Sequence, residues 1–322
     1  MTRAVTLAFQ TDKTEADYAA LAVAAESFGF DGVSVFNDLG YQPSLFPLIV
    51  MATHTSRVRL GAACLNPYLT HPVEIAGQVA ALDAVSRGRA YLGLARGSWL
   101  DGVGVAADRP LRTLREAVDV VAAVLRGEAY EGEVFRVPPG LARYPVHRER
   151  VDVLLGTWGP RGARVAAGCA DEVKLGGCAN PDMVALMRSW LGDADVGVVA
   201  GAVTVVDEDR TVARARARAE VAMYVDVVVA LDRTVTVDPE LAARLGALVA
   251  AGAHDEAGRL IPDDLLDRFC FAGTPDDVAD HAHALFEAGA SRVEFGTPHG
   301  TTDRHGVDLL GRAVLPRLRD AG

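Results

Sequence analysis

The sequence predicts a (β/α)8 TIM barrel, and three observations predict it. Short apolar runs of strand length alternate with amphipathic helical stretches along most of the 322 residues. Such alternation buries a parallel sheet behind an outer layer of helices. Eight strand–helix units fit in the chain, and in about 300 residues that count suits a closed barrel better than an open sheet. Third, a pattern echoes: Gly29 closes a helix before Val33-Ser-Val35, Gly168 before Val173-Lys-Leu175, and Gly289 before Val293-Glu-Phe295. Glycine in that place reads as a left-handed C-cap. The echo argues for repeated βα units and against a two-domain dinucleotide-binding enzyme.

In chain order, strands are expected at 4–9, 31–36, 58–64, 89–95, 151–156, 172–176, 196–206 and 292–295. Helices are expected at 15–28, 44–55, 73–85, 111–125, 160–167, 181–190, 211–229 and 307–318, with a small hairpin at 130–137. The whole chain, 1–322, reads as one barrel domain. Residues 232–290 are too long for one βα connection. They read as an insertion between strands seven and eight with helices at 239–251, 263–269 and 275–288, serving as a lid or as a structural cap.

Composition narrows the partners. Half of the residues are hydrophobic and the net charge is −11. That charge argues against nucleic acid, which wants a basic face. The four cysteines, Cys64, Cys169, Cys178 and Cys270, include no C-x-x-C pair and read as small buried residues in a reducing cytoplasm. Charged residues arrive by Asp12 and Lys13, so no signal peptide is expected, and no apolar run approaches the ~20 residues of a membrane span.

A barrel binds its ligands at the C-terminal ends of its strands. Candidates there are Gln10 and Asp12, Asn37 and Asp38, Asn66, then Arg96, Ser98, Trp99 and Asp101. Thr157, Trp158, Lys174, Glu294, Thr297 and His299 complete the ring. The loop Gly156-Thr-Trp-Gly159-Pro-Arg-Gly162 follows a strand and opens a helix with proline in its first turn. Its glycines and helix N-terminus suit a phosphate or another anion. Gly176-Gly177 offers a second close approach. Gly102-Val-Gly104-Val-Ala-Ala107 matches a dinucleotide fingerprint only in letters, because Asp108-Arg-Pro110 breaks the helix it should open. No carboxylate–histidine cluster has metal-ligand spacing, so no metal is expected.

Three segments then carry a resemblance: Gly61-Ala-Ala-Cys-Leu-Asn-Pro-Tyr-Leu-Thr-His-Pro72, Ala81-Leu-Asp-Ala-Val-Ser-Arg-Gly-Arg-Ala-Tyr-Leu-Gly-Leu-Ala95 and Pro110-Leu-Arg-Thr-Leu-Arg-Glu-Ala117. Ala272-Gly-Thr-Pro-Asp-Asp-Val278 and Phe295-Gly-Thr-Pro-His-Gly300 extend it nearly end to end. Their order resembles luciferase-like flavin-dependent oxidoreductases, and most of all the subgroup around coenzyme F420-dependent methylenetetrahydromethanopterin reductase.

The resemblance implies a bacterial-luciferase-like barrel with a flavin-type ring at the strand ends. It implies a non-prolyl cis peptide at Ala63–Cys64, with Asn66 and Pro67 lining the same wall. It places Asp38 beside the ring. Ala95, Arg96 and Gly97, then Gly156, Thr157, Trp158, Gly159 and Pro160, then Gly176 and Gly177 would hold the cofactor. The strand-1 glutamate of the reductases has no counterpart in Thr6-Leu-Ala8-Phe9; Gln10, Asp38 or Asp101 is expected to substitute. Trp99, Trp158 and His299 are the expected substrate contacts.

The expected activity is coenzyme F420-dependent hydride transfer to or from a small organic substrate. FMN-dependent monooxygenation is the alternative. A barrel that binds a cofactor without turnover is another, and a metal-dependent isomerase or aldolase using Asp38, Glu294 and His299 is a fourth. The family commonly dimerises, so a homodimer is expected.

Overall fold

The computed structural model describes residues 3–320, and they build the closed barrel that the alternation requires. The strands are β1 (Ala4–Phe9), β2 (Gly32–Val35), β3 (Arg59–Ala62), β4 (Tyr91–Ala95), the hairpin β5 (Tyr130–Glu131) and β6 (Arg136–Val137), β7 (Asp152–Gly156), β8 (Glu172–Gly176), β9 (Gly197–Val206), β10 (Cys270–Gly273) and β11 (Arg292–His299). Eight of them run parallel in the order β3-β2-β1-β11-β9-β8-β7-β4. Bridges from Leu60 to Ala90 and from Leu65 to Leu94 close β3 onto β4.

Helices α1 (Glu15–Phe28), α2 (Leu45–His54), α3 (Pro72–Ser86), α4 (Pro110–Arg126), α5 (Gly159–Ala167) and α6 (Pro181–Leu191) cover the outside. Strand residues alternate between the two sides. Val33, Val35, Val173, Leu175, Val293 and Phe295 join the buried layer beneath the helices. Ser34, Lys174 and Glu294 therefore point into the barrel.

The glycine caps divide. Gly29 and Gly289 are left-handed, with φ of 94° and 103°. Gly168 is not, having φ −99°. A Cβ there would lie 3.1 Å from Nη1 of Arg115, a mobile guanidinium tip, so neither φ nor backbone closeness demands glycine at this cap.

The segment between β9 and β11 holds α7 (Arg210–Ala222), α8 (Val225–Leu231), α9 (Pro239–Ala250), α10 (His254–Leu260), α11 (Asp263–Phe269), β10 and α12 (Pro275–Glu287). The helix expected over 211–229 breaks at Tyr224, whose φ of −139° ends the α conformation. The break lets the Tyr224 hydroxyl donate to the carbonyl of Phe269, 2.9 Å away. Strand β10 was not expected. It pairs in parallel with Val203–Val206, the half of β9 that overhangs the barrel. The segment has its own apolar core, built on Ala217, Val221, Leu245, Leu266, Phe269 and Cys270. It thus extends one wall of the mouth. The chain ends in α13 (Asp303–Leu309), a π turn and α14 (Leu315–Asp320).

Candidate active site

The mouth is shaped first by small residues. The Ala63–Cys64 peptide is cis, as the resemblance implies. The carbonyl oxygen of Ala62 lies against β4, only 1.9 Å from the Cβ position of residue 93, which is glycine. Leu65 ties this turn to β4: its N–H donates to Gly93 and its carbonyl accepts from Ala95, both at 2.9 Å. The Cys64 thiol projects into the barrel, 3.4 Å from the Cβ position of Gly156. Burial pushes that thiol up to a pKa of about 11, so it is a neutral apolar wall.

Asn66 is a turn residue. Its Oδ1 accepts the N–H groups of Tyr68 and Leu69 at 3.2 and 2.9 Å. Its Nδ2 lies 3.0 Å from the Cβ position of Gly97, which has φ 84°. Pro67 is buried behind it, and Ala95 lines the same edge. Arg96 is exposed.

Across the mouth, Gln10 Nε2 donates to Asp38 Oδ2 at 2.8 Å, while Gln10 Oε1 accepts from the Thr11 N–H at 2.8 Å. Two of the expected proton-handling residues thus meet. Asp38 opens to solvent within the concave mouth yet is crowded by protein. That crowding raises its pKa above the ordinary carboxylate value, against the Gln10 hydrogen bond and the charge of Lys174. Asp101 is not brought to this pair. It sits exposed in a 3-10 turn, Leu100–Val103.

The loop 156–162 runs from strand to helix as the sequence predicts. α5 starts at Gly159 with proline in its first turn, and Trp158 at its N-cap supplies no side-chain bond. Gly159 has φ 80° and open space at its Cβ position. Gly162 admits Thr157, whose Oγ1 would lie 2.2 Å from a Cβ there. Trp158 packs half-buried on the core. Gly176 faces open space, but Gly177 is covered by the chain itself, 2.7 Å from Val228 Cγ1 at its Cβ position.

His299 does not line the substrate side of the mouth, contrary to expectation. It is fully buried, and its ring nitrogens lie 3.0 Å from Asp303 Oδ1 and 3.1 Å from the Phe295 carbonyl. Its ring also packs on Phe9, centroids 4.8 Å apart. It braces the mouth from behind and offers no free nitrogen to a substrate. Burial works against the Asp303 carboxylate, but His299 and Lys13 hold its pKa down to about 2. Trp99 is 52% exposed on the rim.

The middle residues of the three echoed strands meet inside the barrel: Lys174 and Glu294 are among the expected candidates, and Ser34 is the member that the sequence reading passes over. Lys174 and Glu294 form an ion pair inside the barrel, and Ser34 Oγ donates to the other carboxylate oxygen. Ser34 also bonds the Tyr91 hydroxyl at 2.7 Å. The signal was available: each is polar between two outward-facing apolar residues. With Glu294 in this pair and His299 braced, the set Asp38, Glu294 and His299 does not converge on a metal. Among the described residues, Asp207, Glu208 and His305 are the three such groups whose ligand atoms lie within 4.8 Å of one another, and they form a partly exposed cluster in which a His305 ring nitrogen lies 3.2 Å from Asp207 Oδ2.

The sequence profile of luciferase-like monooxygenases matches residues 5–292. The chain belongs to that family. It is 29% identical over 312 residues to a 5,10-methylenetetrahydromethanopterin reductase of Archaeoglobus fulgidus, covering 92% of this chain and 93% of the relative. It is 25% identical to an F420-dependent glucose-6-phosphate dehydrogenase of Microbacterium testaceum, covering 92% and 91%. The coenzyme F420-dependent tetrahydromethanopterin reductase of Methanopyrus kandleri shares the fold with a TM-score of 0.90 at 24% identity, over 99% of this chain and 100% of that one. The (β/α)8 luciferase-like barrel is therefore the fold of this family member, and among the described residues no helix is long and apolar enough to cross a membrane.

Proposed function

We propose that this family member is an oxidoreductase that holds a flavin-type cofactor, coenzyme F420 in preference to FMN, and transfers hydride to or from a small organic substrate. The observation that carries this reading is the floor of the mouth. The neutral Cys64 thiol stands beside two glycines, Gly93 and Gly156, that leave no side chain over it, and open space stands at Gly159 and Gly176. Such a surface suits a planar ring. The uncapped N-terminus of α5 suits a phosphate. Two relatives named for F420 dependence favour F420 over FMN.

When bound, the ring supplies or accepts the hydride. The chain's own residues do the rest: they place the two reacting carbons and exclude water. Asp38 holds a proton to a higher pH than an ordinary aspartate, and Gln10 fixes its orientation through Oδ2. Oδ1 stays free for a reacting partner. Tyr41, Leu69, Trp99 and Val103 are exposed on the loops after β2, β3 and β4, which favours a substrate with an apolar part.

The same reading takes the protein to be a cytoplasmic homodimer. All four cysteines are unpaired, which supports a reducing compartment; light scattering reads the dimer. Fluorescence titration with F420 tests the cofactor, with saturable quenching expected. A protein that purifies with an FMN spectrum and ignores F420 overturns the choice.

A further inference from the structure

The buried pair Lys174–Glu294 has no part in the reading above. Their side chains are 6% and 1% exposed, inside a barrel whose interior ordinarily fills with branched aliphatic residues. Two buried charges are costly to desolvate, and apolar residues of similar volume are commonly as stable or more so. Stability alone therefore does not account for the pair. The barrel makes room for it: on the intervening strand β9, a Cβ at Gly201 would lie 3.3 Å from Lys174 Cε and 3.2 Å from Glu294 Cβ.

The pair is also oriented. Glu294 is tied on its far side to Ser34, which bonds Tyr91. Tyr91 lies on the opposite side from the mouth, where Arg59 and Arg292 stack on its ring at 5.4 and 5.3 Å. The Lys174 ammonium lies 5.4 Å from the centroid of Phe36, the residue that follows β2 toward the mouth. Its charge reaches Asp38, whose pKa it draws downward. The positive end of the pair faces the mouth.

We propose that Lys174, kept charged by Glu294, is a positioning cation beneath the mouth that stabilises negative charge on the ring bound there. This rests on the proposed function above. A hydride adds two electrons and one proton to the ring, which leaves the ring one unit more negative until a further proton arrives. A fixed cation under the floor therefore favours the reduced ring over the oxidised one.

Dissociation constants of oxidised and reduced F420, measured by fluorescence titration with the wild type and with Lys174→Met/Glu294→Leu, test it. The double variant removes both charges at similar volume, so no unpaired carboxylate is left buried, and circular dichroism with a thermal melt checks its fold. The expected result is weaker binding of reduced F420, on the order of tenfold, with oxidised F420 within about twofold of wild type. An equal change in both constants, or none, assigns the pair a purely structural role and overturns this inference alone. Wild-type protein that binds neither form overturns the proposed function and this inference with it.

Discussion

The carbonyl oxygen of Ala62 lies 1.9 Å from the place where a Cβ on Gly93 would stand. The floor of the mouth thus depends on a missing side chain on the neighbouring strand. Gly93→Ala should displace the backbone of Ala62–Cys64 and cost about 3 kcal/mol or more, since the clash is with backbone. Gly176→Ala, which meets nothing within 4 Å, should leave stability nearly unchanged while weakening cofactor binding. Urea unfolding and F420 titration of both variants check the pair of outcomes.

Asp38 and Gln10 give a prediction about proton handling. Asp38→Asn should slow turnover on the order of a hundredfold while the melting temperature stays close to wild type. Because crowding raises the Asp38 pKa, one limb of the wild-type pH–rate profile should lie above the ordinary aspartate range, and the variant should lack it. Gln10→Ala removes the Oδ2 donor and should move that limb further up. Steady-state rates across pH read both.

What the sequence revealed follows local periodicity; what it hid depends on register. The apolar alternation around Ser34, Lys174 and Glu294 marked the strands and their outward faces, but nothing local says that positions 120 residues apart share a layer. Strand β10 escaped because Cys270–Gly273 continues the apolar end of α11 without a turn signal and pairs only with the overhang of β9. The sequence predicts a mouth position for His299, because it follows strand eight. In fact β11 continues to His299, past a register shift between Gly296 and His299, and turns that ring inward. The cis peptide at Ala63–Cys64 was legible only through the family resemblance.

Asp303 sets a pH dependence of stability. Its folded pKa of about 2 lies below the ordinary aspartate value of 3.8, so it stabilises the fold above that unfolded value. The contribution is lost as pH falls from about 4 toward about 2. Asp303→Asn should therefore cost about 2 kcal/mol at pH 7, and the variant should lose less stability than wild type across that window. Denaturant unfolding at several pH values gives the comparison.

The anchoring of the 232–290 segment rests on Asn180, which is fully buried at the N-cap of α6. Its Nδ2 donates to Asp232 Oδ2 at 2.8 Å and to Thr234 Oγ1 at 2.7 Å, while its Oδ1 accepts from Arg268 Nη1 at 2.5 Å. One side chain thus ties both flanks of α9 and α10 to the barrel. Asn180→Ala leaves Asp232 buried without this donor, at a cost of roughly 1.5–3 kcal/mol. If the segment acts as a lid, the loss should appear locally: proteolysis between Asp232 and Asp238 should accelerate, and the KM for substrate should rise more than kcat falls. If it is only a cap, global unfolding and proteolysis should shift together with KM unchanged. Gly177 separates the two further, because α8 lies directly on it through Val228 and Tyr224. Gly177→Ala should push α8 off the strand end, and a lid would then open without any change at Asn180.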